Sequence, residues 1–457
     1  MRDRYQELFA NYATQPHTLP SDTLHEVKRR ILDSFGVMCA AINDDSPTVA
    51  RAYAEAYAME NGATIFGSRA KANPEVAGFA NGVAVRYLDF NDTYLLLEPL
   101  HPSDCIPALL ALAEWKNLGG LALAEAIAIS YEVSMNLCDA ASLRKYKWDH
   151  VNYIGIGVAM GASRLLGLNA TQTAHAISLA AVPHASMRQT RAGELSMWKG
   201  AAAANSARNG LFGAMLAARG MTGPFEPFTG EMGFIRQMLG GNAFDDQALA
   251  RMQRGDAPHR ICDSYIKKYP VEYHAQSAVD IAVELNQEIR DWRLIESVEI
   301  ETFKAAYEII AMDPEKWHPT TRETADHSLQ YISIAGLIDG KVDEETFARE
   351  HLGDPRRRDL LARTKLFESD ALTALYPESI PNRITVKTKD GATRTREERY
   401  PRGHAGNKMT DDEVIAKFNT NVAGRLDPAR ARALCDAVWS LEDWTDVSTW
   451  TEKWSNA

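Results

Sequence analysis

Along its first half the chain places apolar residues in steps of three and four, the period of a helix that buries one face. Leu24, Val27, Ile31, Leu32, Phe35 and Met38 keep this spacing after Pro20-Ser21-Asp22, whose polar groups are suited to capping, so a helix is predicted there. The same period predicts helices over 46–59, 73–89, 104–116, 120–140, 151–165 and 170–182. Two stretches, LALAEAIAISYEVSMNL and VNYIGIGVAMGASRLLGL, are apolar on several faces, as expected of helices in the middle of a large helical domain. The segment 200–219, GAAAANSARNGLFGAMLAAR, carries small residues that let neighbouring helices approach closely.

The pattern changes after about residue 270. Val298 to Phe303 alternates and is rich in strand formers, and ITVKTKDGATRT (384–395) reads as two strands joined at Asp390-Gly391. Helical spacing returns over 411–420 and 427–441. The prediction is a mainly α protein: a large all-α domain over 1–265, rejoined by 405–457, and a smaller α+β domain over 266–404. No repeat of solenoid period is present.

Length agrees with two domains, since 457 residues exceed one ordinary core. A composition of 45% hydrophobic and 24% charged residues is that of a globular protein. The net charge of −11 argues against nucleic acid as a partner, yet a local basic cleft for an acidic small molecule can coexist with it. Five scattered cysteines, with no CxxC, fit a reducing cytoplasm better than a disulfide framework or a compact zinc or iron–sulfur motif. The opening MRDRYQELFANYATQ has no apolar signal core, and no other run is expected to span a membrane. A cytoplasmic, membrane-free protein is the expectation.

Five segments concentrate groups able to do chemistry. YLDFNDTYLLLEPLHPSD sets Asp89, Thr93 and His101 close together, with Asn91, Asp92 and Asp104 as structural groups and Tyr94 to Leu97 as an apolar anchor. KYKWDHVNY places His150, after Asp149, at a helix entrance, where an imidazole tends to stay neutral. Arg188, Arg191 and Lys199 gather against a single acid, Glu194, and suit carboxylate binding. Lys267 and Lys268 precede Tyr-Pro, followed by Glu272 and His274 on one face of an extended segment. Two such groups without a third make a poor metal site. The fifth segment, ADHSLQY, adds Asp326, His327, Ser328 and Tyr331.

Taken together, NGVAVRYLDFNDTY, HPSD, DHVNY, TRAGELSMWKGAAAANSARNG with MTGP, YPVEYHAQSA and DHSLQY resemble the MmgE/PrpD family, in the family's order and over roughly residues 15–440. The resemblance implies a helical domain and an α+β lid domain in a homodimer, an active site between the domains, and no iron–sulfur cluster or other cofactor. It implies dehydration of 2-methylcitrate or citrate, with cis-aconitate decarboxylation or epimerisation as relatives' alternatives. It carries active-site roles to Asp89, Thr93, His101, His150, Lys199 and Tyr331, and makes Lys267 the better carboxylate anchor of its pair. Glu272, with His274 two residues on, matches the dehydratase branch, whereas TRAGELSMWK has less Arg and His than typical 2-methylcitrate dehydratases and leaves the tricarboxylate open. His101 and His150 are the expected base and acid, in either order. Asp89 either orients a histidine or stays protonated.

Overall fold

The computed structural model describes residues 3–455. The spacing of the first half becomes the helices Ser21–Ala41, Asp45–Glu55, Pro74–Tyr87, Ile106–Trp115, Gly120–Ala140, Val151–Leu165, Ala170–Ala181 and Trp198–Ala217. The helix predicted over 46–59 stops at Glu55, and the strand Ala58–Thr64 follows, paired antiparallel with Lys71–Ala72. Small residues set the helix spacing in the middle of the domain. A Cβ added to Gly210 would lie 2.3 Å from the carbonyl oxygen of Gly155, so these two helices touch backbone to backbone.

The helix Gly120–Ala140 corrects one expectation, for it is long and apolar enough to cross a bilayer by length and composition. Its apolar window is 83% buried inside the protein, which accounts for an apolar surface on every side.

Two apolar cores divide the chain. The larger runs from Tyr5 to Ile266 and takes in Val414, Phe418, Trp450 and Trp454 from the C-terminal helices. The smaller is built from residues 265–386, together with Leu95, which crosses over from the helical part. Its sheet has the order Thr364–Glu368, Ile295–Thr302, Asn382–Thr388, Thr393–Glu398. The first two strands run parallel and the remaining pairings are antiparallel. Register places Val298 opposite Val386 and Ile300 opposite Ile384, so every second residue enters the core against the helices Gln276–Ile289 and Leu329–Asp339. At the Asp390-Gly391 turn Gly391 has φ of 86°, a conformation that favours glycine.

Candidate active site

The helix Pro74–Tyr87 ends into Asp89, whose φ of 51° turns the chain sharply and directs its carboxylate into the interior. That carboxylate is a hub. Oδ1 accepts from Arg86 Nη1 at 2.6 Å and from Lys267 Nζ at 2.8 Å, and Oδ2 accepts from Lys199 Nζ at 3.3 Å. His327 Nε2 lies 3.3 Å from Oδ2, and His101 Nε2 lies 3.6 Å from Oδ1. Burial alone would raise the pKa of Asp89, but Arg86, Lys199 and Lys267 outweigh it and hold the group well below the usual carboxylate range. Of the two states open from sequence, the ionised one is therefore the state of this site.

The loop after Asp89 is a scaffold for His101. Asp92 accepts from the backbone N–H of Ser103 at 2.9 Å and from the Tyr131 hydroxyl at 2.8 Å. Its backbone oxygen lies 2.8 Å from His101 Nδ1. A carbonyl only accepts, so Nδ1 carries the proton and Nε2 presents its lone pair toward Asp89 and the cleft. Burial, then Arg86 and Lys267, lower the His101 pKa well below its ordinary value, which keeps the ring neutral.

Thr93 does not reach the cleft. Its hydroxyl donates to Leu100 O at 3.0 Å, and its backbone pairs with Tyr265. Tyr94 and Leu95 are buried, but Leu96 and Leu97 are exposed, so the apolar anchor is half the length expected.

His150 stands at the N-terminus of Val151–Leu165, its ring centre 6.1 Å from that of His101. Nδ1 is 3.3 Å from Asp149 Oδ1, yet neither ring nitrogen has a hydrogen-bond partner among the described residues. Burial, followed by the Arg191 charge, pushes the pKa down to about 3. Asp149 is taken by Arg191, whose Nε lies 3.1 and 3.0 Å from its two oxygens. Arg191 Nη2 is left buried and unpartnered. Arg188 and Arg144 also line the cleft, and among the described residues neither guanidinium forms an ion pair.

The smaller domain supplies the opposite wall through two carboxylate–imidazole pairs. Glu272 Oε1 lies 2.8 Å from His274 Nδ1 and its Oε2 accepts from the His274 backbone N–H at 2.8 Å, leaving Nε2 buried without a partner. Burial raises the Glu272 pKa, but His274, His327 and Lys267 outweigh it and bring the group to about 2. Asp326 Oδ1 lies 2.5 Å from His327 Nδ1 and 3.7 Å from Lys199 Nζ, so this pair closes a ring with Asp89 across the domain boundary. Lys316 and Asp313, from the segment between the two pairs, complete the rim.

Two further residues named from sequence, besides Thr93, lie elsewhere. Tyr331 is one turn beyond His327, and its hydroxyl donates to Thr346 O at 3.1 Å and His351 O at 3.2 Å while receiving from Arg357 Nη1, all inside the smaller domain. Lys268 turns outward from Lys267 and pairs with Asp280 at 2.9 Å, its side chain 42% exposed. Conversely, Arg86, Arg144, Asp313 and Lys316 line the cleft without having been selected, and His327, named with its segment but given no role, joins them. Arg86 had a local signal, since three residues along a helix places it on the side of Asp89. Arg144, Asp313 and Lys316 had none, because only the packing of distant segments brings them to the cleft.

Two family models match the chain. The MmgE/PrpD N-terminal domain matches residues 7–247 and the MmgE/PrpD C-terminal domain matches residues 269–443. A 2-methylcitrate dehydratase of Cupriavidus necator is 30% identical over 406 residues, covering 83% of this chain and 81% of its own. The 2-methylcitrate dehydratase of Escherichia coli K12 is 29% identical, covering 81% and 80%. Human cis-aconitate decarboxylase is 26% identical over 456 residues, covering 95% and 90%. The chain belongs to the MmgE/PrpD family.

Proposed function

We propose that this chain is a hydro-lyase that dehydrates 2-methylcitrate or a close tricarboxylate such as citrate. The observation that carries the reading is His101, buried and neutral, with its Nδ1 proton committed to Asp92 O and its Nε2 free at a cleft lined with cations. Removing a proton next to a carboxylate builds negative charge on a group that is already anionic. The reaction therefore needs a neutral base and fixed positive charge together.

His101 Nε2 takes the proton, and the imidazolium so formed is stabilised by Asp89 at 3.6 Å. Lys199, at the cleft wall, and Lys267 both contact Asp89, where they hold it ionised and add to the positive field. Arg188 and Arg144, free of ion pairs, receive substrate carboxylates, and the unpartnered Nη2 of Arg191 adds a further donor. Arg191 and Arg188 also depress His150, so a bound polycarboxylate, by neutralising them, raises that imidazole toward the working pH. The hydroxide leaves with a proton from His274, whose Nδ1 is held by Glu272 and whose Nε2 lacks a protein partner. His150, with both nitrogens open, anchors substrate as a neutral hydrogen-bonding group.

The reading includes a cytoplasmic homodimer that works without a resident cofactor. Exposed Met187, Met197 and Trp198 bracket the Arg188–Arg191 turn and offer an apolar surface for a second copy. Sedimentation equilibrium tests that state, and a monomer across the working range of concentration removes it.

The enzymatic test is incubation of chelator-treated protein with 2-methylcitrate, citrate and cis-aconitate, followed by proton NMR in deuterated water. Alkene formation from either hydroxy acid supports the proposal, and its absence from both sinks it. Itaconate and carbon dioxide from cis-aconitate would establish the second reading, a decarboxylase, which the nearly chain-long match to the human relative favours.

A further inference from the structure

Away from the cleft, Asp22, His259 and Cys262 bring an oxygen, a nitrogen and a sulfur ligand atom within 4.8 Å of one another. We propose that they bind a divalent cation of the zinc class. Asp22 lies in the first turn of Ser21–Ala41, while His259 precedes and Cys262 lies within the short turn Arg260–Asp263, so the ligands come from segments more than two hundred positions apart.

The geometry is close to what such an ion requires. With metal–sulfur, metal–nitrogen and metal–oxygen bonds of about 2.3, 2.05 and 2.0 Å, the edges of a tetrahedron measure about 3.3–3.6 Å. His259 Nδ1 stands 3.7 Å from Asp22 Oδ1 and 3.7 Å from Cys262 Sγ, a few tenths of an ångström from those edges. The Asp22 side chain is 61% exposed and has room to make the adjustment. A carboxylate, an imidazole and a thiolate together match a borderline ion such as zinc or cobalt rather than calcium or magnesium, which prefer oxygen alone.

The surrounding acids are largely paired already, Glu26 with Arg30 and Arg29 and Asp263 with Arg260, which leaves Asp22 as the carboxylate open to an ion. Glu26 and Asp263 line the same surface pocket, and His25 stands at its edge. Lys408 is the cation that lines this pocket; its Nζ donates to Cys262 O at 2.7 Å and lies 4.0 Å from Glu26 Oε1. His259 Nδ1 also sits 3.2 Å from Thr23 Oγ1, a contact the ion would displace.

The consequence is a clamp on the segment that delivers Lys267. Just beyond Cys262, Ser264 is held by Arg30, Tyr265 pairs with Thr93, and Lys267 reaches Asp89. An ion binding Asp22, His259 and Cys262 would join that segment to the helix Ser21–Ala41 at the surface, two residues before the Ser264 contact.

The test is a cobalt(II) titration of the full-length, chelator-treated chain, read by the thiolate-to-cobalt absorption band, with melting temperature measured in parallel. One equivalent bound with such a band, and a raised melting temperature, is the expected result. Cys262→Ser removes the band, His259→Ala removes binding, and Lys408→Ala tightens it by deleting the opposing charge. Turnover stays at the wild-type level in Lys408→Ala and Cys262→Ser, because neither residue touches the cleft. No cobalt bound to the wild-type chain, or a band that survives in Cys262→Ser, overturns the proposal. Should Cys262→Ser fail to fold, Asp22→Asn serves in its place, and unchanged affinity there counts against the site.

Discussion

The two walls of the cleft are built on different plans. On the helical side, Asp89, His101, His150 and Lys199 are fixed by helix ends and by a loop whose every acid is engaged: Asp92 with Ser103 and Tyr131, Asp104 with Asn91. On the side of the smaller domain, imidazoles come already paired with carboxylates, Glu272 with His274 and Asp326 with His327. A histidine tied to a backbone carbonyl gains no charge from its partner and stays a neutral base, whereas a histidine tied to a carboxylate has a partner that steadies the protonated ring. In the proposed mechanism acid–base work is divided between His101 and His274, while burial and Lys199 hold His327 below its ordinary pKa, and this division can be tested.

The largest effect is expected on the helical side. His101→Ala should lower turnover by on the order of a hundredfold or more, with circular dichroism and melting temperature near wild type. Near-full activity in a folded His101→Ala protein would move the base elsewhere and end the proposed division. The pH dependence follows from the same residue. Because His101 acts neutral and its pKa lies below the ordinary value, kcat/KM should fall only as pH drops through that lowered pKa. The acidic limb then lies below 6.5, the unshifted value, and His101 itself causes no loss on the alkaline side. A limb centred above the unshifted value contradicts the assignment.

A smaller effect is expected across the cleft. Glu272→Gln keeps the size of the side chain but removes the charge beside His274, so turnover should fall by roughly tenfold, less than for His274→Ala. Equal losses in the two variants would give the carboxylate a direct part in the reaction rather than a positioning one. Measuring kcat and KM separately distinguishes these, since a positioning residue acts mainly on kcat.

The walls also differed in how far they could be read from sequence. The helical wall is local: Asp89 and His101 are twelve residues apart in one loop, and helical spacing with Gly and Ala at contact positions defines the elements that carry the rest. Lys316, Asp313 and Arg144 reach the cleft only because two separate cores pack against each other, and single-chain periodicity holds no record of that contact. Within a motif the chemistry was harder still. DHSLQY contains both His327 and Tyr331, and helical geometry separates them. Asp326 and His327 lie at the helix approach facing Asp89, while Tyr331 enters the helix and turns into the smaller core. Thr93 shows the opposite failure, a residue in the right loop whose hydroxyl is used to hold Leu100 in place.

Tyr331→Phe gives the smallest expected change in catalysis and sharpens the comparison where a motif points both ways. The phenol donates to two backbone carbonyls and accepts from Arg357, which itself also reaches Thr346 O at 2.8 Å and Asp339 at 2.7 Å. Removing the hydroxyl deletes one donor from each carbonyl, but Arg357 still serves Thr346 O, the Asp354 N–H still serves His351 O and Arg357 stays paired, so the cost should be about 1 kcal/mol of stability. Urea unfolding reads that cost directly, and kcat/KM per folded molecule should stay at the wild-type level. The opposite pattern, lost turnover with unchanged stability, would mean that the smaller domain rearranges on binding substrate and swings Tyr331 from its own core into the cleft. The boundary between scaffold and chemistry would then run through DHSLQY at a different residue, and the second wall would owe its function to movement rather than to the carboxylate pairs already in place.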